Sequence, residues 1–119
     1  MDLQLSTRPL DGRALVTVGG ELDLETSAQL GDHALCALRE VSPHLALALG
    51  AVTFMDSTGL KILLAIQQRA DLAGGSLALV GATRTVRRIL ELTGLDQAFA
   101  QHESLDDLPK LSGGAAPTT

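Results

Sequence analysis

What most limits the folds open to this chain is where its apolar period switches between two residues and 3.6. Residues 3–7, LQLST, alternate apolar and polar side chains, as a half-buried strand does. PLDG then supplies turn residues, and 14–22, ALVTVGGEL, alternates again through Ala14, Val16 and Val18. Together these runs predict a β-hairpin, with Gly19 and Gly20 marking a bulge or a close backbone approach. From Thr26 the period lengthens, and Leu30, Ala34, Ala37, Leu38 and Val41 share one face of a helix. Thr26 and Gln29 have the spacing of a capping box, and Ser42–Pro43 ends the helix.

Residues 44–54, HLALALGAVTF, are apolar at nearly every position. A strand covered on both faces, or covered on one and lined with small residues on the other, has this pattern. A second helix is predicted over 57–72, stopping at Gly74–Gly75, followed by a buried strand over 76–81, SLALVG. Thr83 can cap a third helix with Val86, Ile89 and Leu90 facing inward and Gly94 past its end. AFAQ, 98–101, reads as a short edge strand, and SLDDLPK as a final helical turn. The order is β-β-α-β-α-β-α, then a terminal β-α. It predicts an α/β fold: a mixed sheet of four to five strands, made of the N-terminal hairpin and parallel βαβ units. Right-handed crossovers put the helices on one face. The other face is expected to carry smaller and more polar residues.

Composition narrows the function. At 119 residues the chain fits one domain, over 1–108, with 109–119 and above all SGGAAPTT expected to be a disordered tail. Hydrophobic residues are 45% of the chain, but with two Phe and no Trp or Tyr the core must be aliphatic. The net charge is −5 and no basic block is present, which argues against nucleic acid as a partner. Arg84, Arg87 and Arg88 read as one solvated helix face. Cys36 has no second cysteine to pair with and is expected to be buried and inert. The start of the chain lacks the pattern of a signal peptide, and the longest apolar run, LALALGAVTFM, falls short of the roughly 20 residues that span a bilayer. A cytoplasmic protein without a membrane partner is expected. HExxH, paired Cys/His sets and Walker-type loops are all missing, so no metal or other cofactor is expected.

The chemistry concentrates in FMDSTGLKILLAIQQ, 54–68, where a buried strand passes into a helix. Functional groups of α/β folds gather at such strand ends, and a helix start offers free N–H groups to an anion. Asp56, Ser57 and Thr58 are all capping types; one is needed as a cap, which leaves at least one hydroxyl spare. A nucleophile elbow, G-x-S-x-G, is only half present, because Met55 stands two before Ser57 and Gly59 two after it. His33, His44 and His102 have no evident placement as a base, which disfavours a hydrolase. The remaining chemistry is phosphorylation, which adds nearly two negative charges and three acceptor oxygens. A partner covering that spot would have to desolvate them, so a binding surface with an off switch follows.

Three segments carry a family resemblance over residues 1 to about 108: GGELDLETSAQL after the hairpin, VTFMDSTGLKILL at the strand–helix junction, and GGSLALVGATRTVRRILELTGLDQAF. The chain resembles the anti-sigma factor antagonists, single-domain members of the STAS (sulfate transporter and anti-sigma factor antagonist) class. The resemblance implies a non-catalytic protein that binds an anti-sigma factor, itself a serine kinase, and so frees the sigma factor. Phosphorylation blocks the complex and a serine phosphatase restores it. The phosphoacceptor maps to Ser57, with Thr58 as runner-up, and Asp23 matches an acidic position near it. Asp23, Asp56, Ser57, Thr58, Gly59 and Lys61 form the implied docking surface. Two positions depart from the family pattern: Ala48 stands where many members have Asp, and Lys61 where Gly is common. Lys61 shares a helix face with Ser57 and could partly neutralise a phosphate there. The alternative is a STAS scaffold or regulatory subunit, for instance of a transporter complex, without phospho-control.

Overall fold

The computed structural model describes residues 3–111. Strands β1 (Gln4–Leu10) and β2 (Arg13–Leu22) form the antiparallel hairpin, joined by the two-residue loop Asp11–Gly12. Both loop residues have positive φ, +50° and +84°, the geometry that the Asp-Gly pair accommodates in a tight hairpin. Pro9 and Leu10, expected in the turn, therefore belong to β1, whose edge position tolerates a proline. Strands β3 (His44–Met55), β4 (Ser76–Val80) and β5 (Ala100–His102) run parallel to β2, in the order β1-β2-β3-β4-β5. Helices α1 (Ser27–Glu40), α2 (Ser57–Leu72) and α3 (Arg84–Leu92) make the crossovers, and a 3₁₀ turn, Leu105–Asp107, follows β5. The predicted mixed α/β architecture is the observed one, with five strands out of the expected four to five.

All three helices pack on one face. Val16, Val18, Leu45, Leu47, Leu49, Leu77 and Leu79 meet Leu30 and Ala34 of α1, Leu63 and Ile66 of α2, and Val86 and Leu90 of α3 in one buried cluster. The reverse face carries Leu15, Ala46 and Val80, with Ala48 half-buried beside them. These residues are mostly small, as expected, but apolar rather than polar, because Leu105 and Leu108 lie over them. The Arg13 guanidinium donates to the Pro109 carbonyl at 2.7 Å, so the chain past residue 108 starts packed against β2. Residues 112–119, the SGGAAPTT segment, lie outside the described residues.

Gly19 and Gly20 do mark irregular pairing. From Thr17 to Gly19 strand β2 advances two residues while β3 advances from Ala48 to Ala51; from Gly20 to Glu21, β3 advances from Val52 to Phe54. Strand β3 thus gains a residue twice, and each gain reverses which side chains point inward. That is why the buried set after Leu49 is Val52 and Met55, and why Phe54 is turned out.

Two local expectations are corrected. Thr26 sits at the start of α1 without a side-chain cap bond, so no Thr26–Gln29 capping box forms. The Thr26 hydroxyl is engaged instead with the Glu21 carbonyl and the Asp23 N–H. Cys36 is exposed rather than buried. It lies two residues, about 200° of helix turn, from the inward Ala34. Arg84, Arg87 and Arg88 are exposed on α3. Among the described residues no helix is long and apolar enough to cross a membrane.

Leu47 is fully buried at the centre of the main core. Leu47→Ala is expected to lower the unfolding free energy by about 2–5 kcal/mol, read from the urea midpoint at unchanged m-value.

Candidate docking surface at the strand ends

Leu22 of β2 pairs with Met55 of β3, so the chain leaves two neighbouring parallel strands side by side. One exit becomes the Asp23 turn and the other becomes helix α2. The Asp56 N–H donates to the Leu22 carbonyl at 3.1 Å and ties the exits together. Asp56 is the N-cap of α2, and its carboxylate accepts from the N–H groups of Thr58 at 2.9 Å and Gly59 at 3.2 Å. The cap is therefore the carboxylate, and neither hydroxyl is spent on it. Ser57 is exposed and Thr58 half-buried. Two of the N–H groups that an anion at Ser57 was expected to use, those of Thr58 and Gly59, are occupied by Asp56.

Gly59 is a close-approach glycine. A Cβ there would lie 2.7 Å from Met55 Cγ, 2.9 Å from Leu22 Cβ and 3.0 Å from the Leu22 carbonyl oxygen. Only hydrogen lets the first turn of α2 press this tightly on the two strand ends. Lys61 is exposed one turn beyond Ser57 on the same helix face.

Asp23 organises the neighbouring loop. Its carboxylate accepts from the N–H groups of Glu25 and Thr26 at 3.0 Å each, and the Thr26 hydroxyl is 3.1 Å away. The Thr26 N–H, aided by that hydroxyl and the Glu25 N–H, holds the carboxyl below the ordinary 3.8 of an aspartate. The six residues singled out from sequence thus fall at one end of the sheet, five on the start of α2 and Asp23 on the adjoining loop.

Other candidates lie apart. Ala48 is mid-strand on the reverse face, packed with Leu15, Ala46 and Val80, where a carboxylate would meet apolar side chains. His33 bonds the Thr7 hydroxyl, and His44 Nδ1 lies 2.9 Å from Ser76 Oγ at the opposite end of β3. Among the described residues no cluster of three or more His, Cys, Asp or Glu could hold a metal ion. Two residues at the site escaped sequence reading. Leu24 is 78% exposed and Phe54 44% exposed, one beside each of Asp23 and Met55. The signal for Leu24 was a leucine set between two acids, Asp23 and Glu25; Phe54 carried none, since it lies in a continuous apolar run. Glu21 and Glu25 are also exposed here, so the rim around Asp23 is acidic.

The family model of the STAS domain matches residues 4–108. The chain belongs to the STAS domain family. It is 33% identical over 105 residues to the anti-sigma-F factor antagonist RsfB of Mycobacterium tuberculosis, covering 87% of this chain and 85% of that protein. A crystal structure of an anti-sigma factor antagonist from Mycobacterium paratuberculosis superposes with a TM-score of 0.78 at 33% identity, covering 88% of this chain and 89% of the other. The phosphorylated form of SpoIIAA from Bacillus shares the fold with a TM-score of 0.67 at 19% identity, covering 88% of this chain and 94% of the other.

Gly59→Ala in this STAS domain is expected to cost about 1–3 kcal/mol and to shift the amide resonances of residues 22–24 and 55–60, read by urea unfolding and NMR. Asp23 in the folded protein is expected to titrate below 3.8, followed through its carboxyl resonance. Because its folded pKa is the lower one, its contribution to stability is complete above 3.8 and is lost as pH falls through the folded value. Asp23→Asn should therefore flatten the acid limb of the stability profile and leave the slope near neutrality unchanged.

Proposed function

We propose that this protein is a non-catalytic, cytoplasmic anti-sigma factor antagonist that docks an anti-sigma factor serine kinase on the Ser57 surface and is released when Ser57 is phosphorylated. The observation that carries this reading is the division of labour at the start of α2: Asp56 caps the helix, and the Ser57 hydroxyl is left exposed beside it. Ser57 is the acceptor rather than Thr58, because Thr58 is half-buried and a kinase must reach the hydroxyl. The names of the relatives support the antagonist role.

The physics of the switch follows from the cap. A phosphate on Ser57 finds the Thr58 and Gly59 N–H groups already taken, so its charge stays in solvent next to the Asp56 carboxylate. The fold tolerates an exposed dianion. A partner seated on Leu24 and Phe54 would have to desolvate it, and a loss of only about 2.8 kcal/mol weakens a complex a hundredfold. The acidic rim suits a partner with basic residues around its nucleotide site. A serine phosphatase removes the group and restores the docking surface.

Incubation with the anti-sigma kinase and ATP is expected to add the mass of one phosphate to the wild-type chain and none to Ser57→Ala. Ser57→Ala should retain binding, and Ser57→Asp should weaken it about tenfold or more. A complex indifferent to both substitutions would instead identify a scaffold. In the same titrations Lys61→Gly is expected to weaken the phosphorylated complex more than the unphosphorylated one, as a lysine that partly neutralises the phosphate requires.

A further inference from the structure

At the end of the sheet opposite Ser57, a cleft of about 630 Å³ lies between the β1–β2 turn, the start of β3 and the segment after the 3₁₀ turn. A strand of this length separates the two ends by about 36 Å, at about 3.3 Å per residue, so the cleft is no part of the docking surface. Its size falls within the usual range for small-molecule sites. Leu10, Leu105, Leu108 and Leu111 supply apolar wall, and Arg13 lies in the lining.

Arg13 is the unusual element. It is 5% exposed, yet among the described residues its guanidinium makes one hydrogen bond, from Nη2 to the Pro109 carbonyl. A guanidinium has five N–H donors, and tying down one carbonyl uses one of them. Among the described residues no side-chain nitrogen or oxygen is both fully buried and unpaired, so the remaining Arg13 donors are not sealed off, and Arg13 lines the cleft. Burial lowers the Arg13 pKa, the direction expected of a charge held without an anionic partner. Lys110 and His44 also line the cleft, against one carboxylate, Asp11. A cation half-enclosed by leucines is best satisfied by an anion that brings its own apolar body.

We propose that this cleft binds a single-tailed amphiphile ending in a carboxylate, with the head group paired to the free edge of Arg13 and the tail against Leu105, Leu108 and Leu111. The planar fork of arginine matches a carboxylate through two parallel hydrogen bonds, and the leucines remove the tail from water.

The test uses the full chain and decanoate below its micellar range, with decanol and acetate as controls, followed by amide shifts in NMR and by calorimetry. Decanoate should saturate, with shifts centred on Arg13, Leu105 and Leu108. Decanol and acetate should each bind about tenfold more weakly or worse, because each lacks one half of the recognition. Arg13→Gln should reduce decanoate to the level of decanol, and Leu108→Trp should fill the cleft and abolish binding. Absence of saturable decanoate binding, shifts centred elsewhere, or equal affinity for decanoate and decanol would overturn the proposal. If Arg13→Gln fails to fold, the decanoate–decanol comparison and Leu108→Trp still decide it. Persistence of full binding in Leu108→Trp would overturn it as well.

Discussion

The hydrogen bond from the Asp56 N–H to the Leu22 carbonyl is where the fold and the candidate site meet. It exists because β2 and β3 are parallel neighbours whose last residues are in register. It also requires Gly59, since any side chain there would push α2 off the strand ends. With that contact made, Asp56 lies in the extended conformation needed to cap α2, and its carboxylate takes the two N–H groups behind it. The Ser57 hydroxyl is then left in solvent by construction.

This arrangement has an electrostatic consequence. A helix start usually welcomes an anion, but here the welcome is already used by Asp56. Asp23, next door, is likewise committed to the amides of its own loop and stays ionised to low pH. Both carboxylates are structural and both hold negative charge in place at the rim. A further charge on Ser57 adds to a field that the fold itself maintains, which makes the surface a sensitive place for a phosphate.

The two faces of the sheet are closed by different means. Helices cover one face, as right-handed crossovers require. The short segment after β5 covers part of the other, through Leu105, Leu108 and the Arg13–Pro109 bond. That second closure places Ala48 under apolar cover and explains why alanine suits the position in this chain. It also creates the cleft at the far end, with a buried cation in its wall.

The order of elements, the mixed sheet of four to five strands and the helical face were legible because they rest on local periodicity, and periodicity is written in neighbouring residues. The grouping at Asp56, Ser57, Thr58, Gly59 and Lys61 was legible for the same reason, being contiguous. Which of three capping residues caps was not, since each is chemically able and only the Leu22 contact chooses Asp56. The outward turn of Phe54 was hidden because two pairing irregularities against β2 reverse the facing of β3, and pairing is a relation between distant strands. Cys36 and the Thr26 hydroxyl were different, since local geometry decides both: Cys36 falls about 200° of helix turn from the inward Ala34, and the Thr26 hydroxyl turns back to Glu21 and Asp23. Sequence alone determined what the chain could locally become, and tertiary structure decided which of several equivalent groups is used, because only folding sets the distances between them.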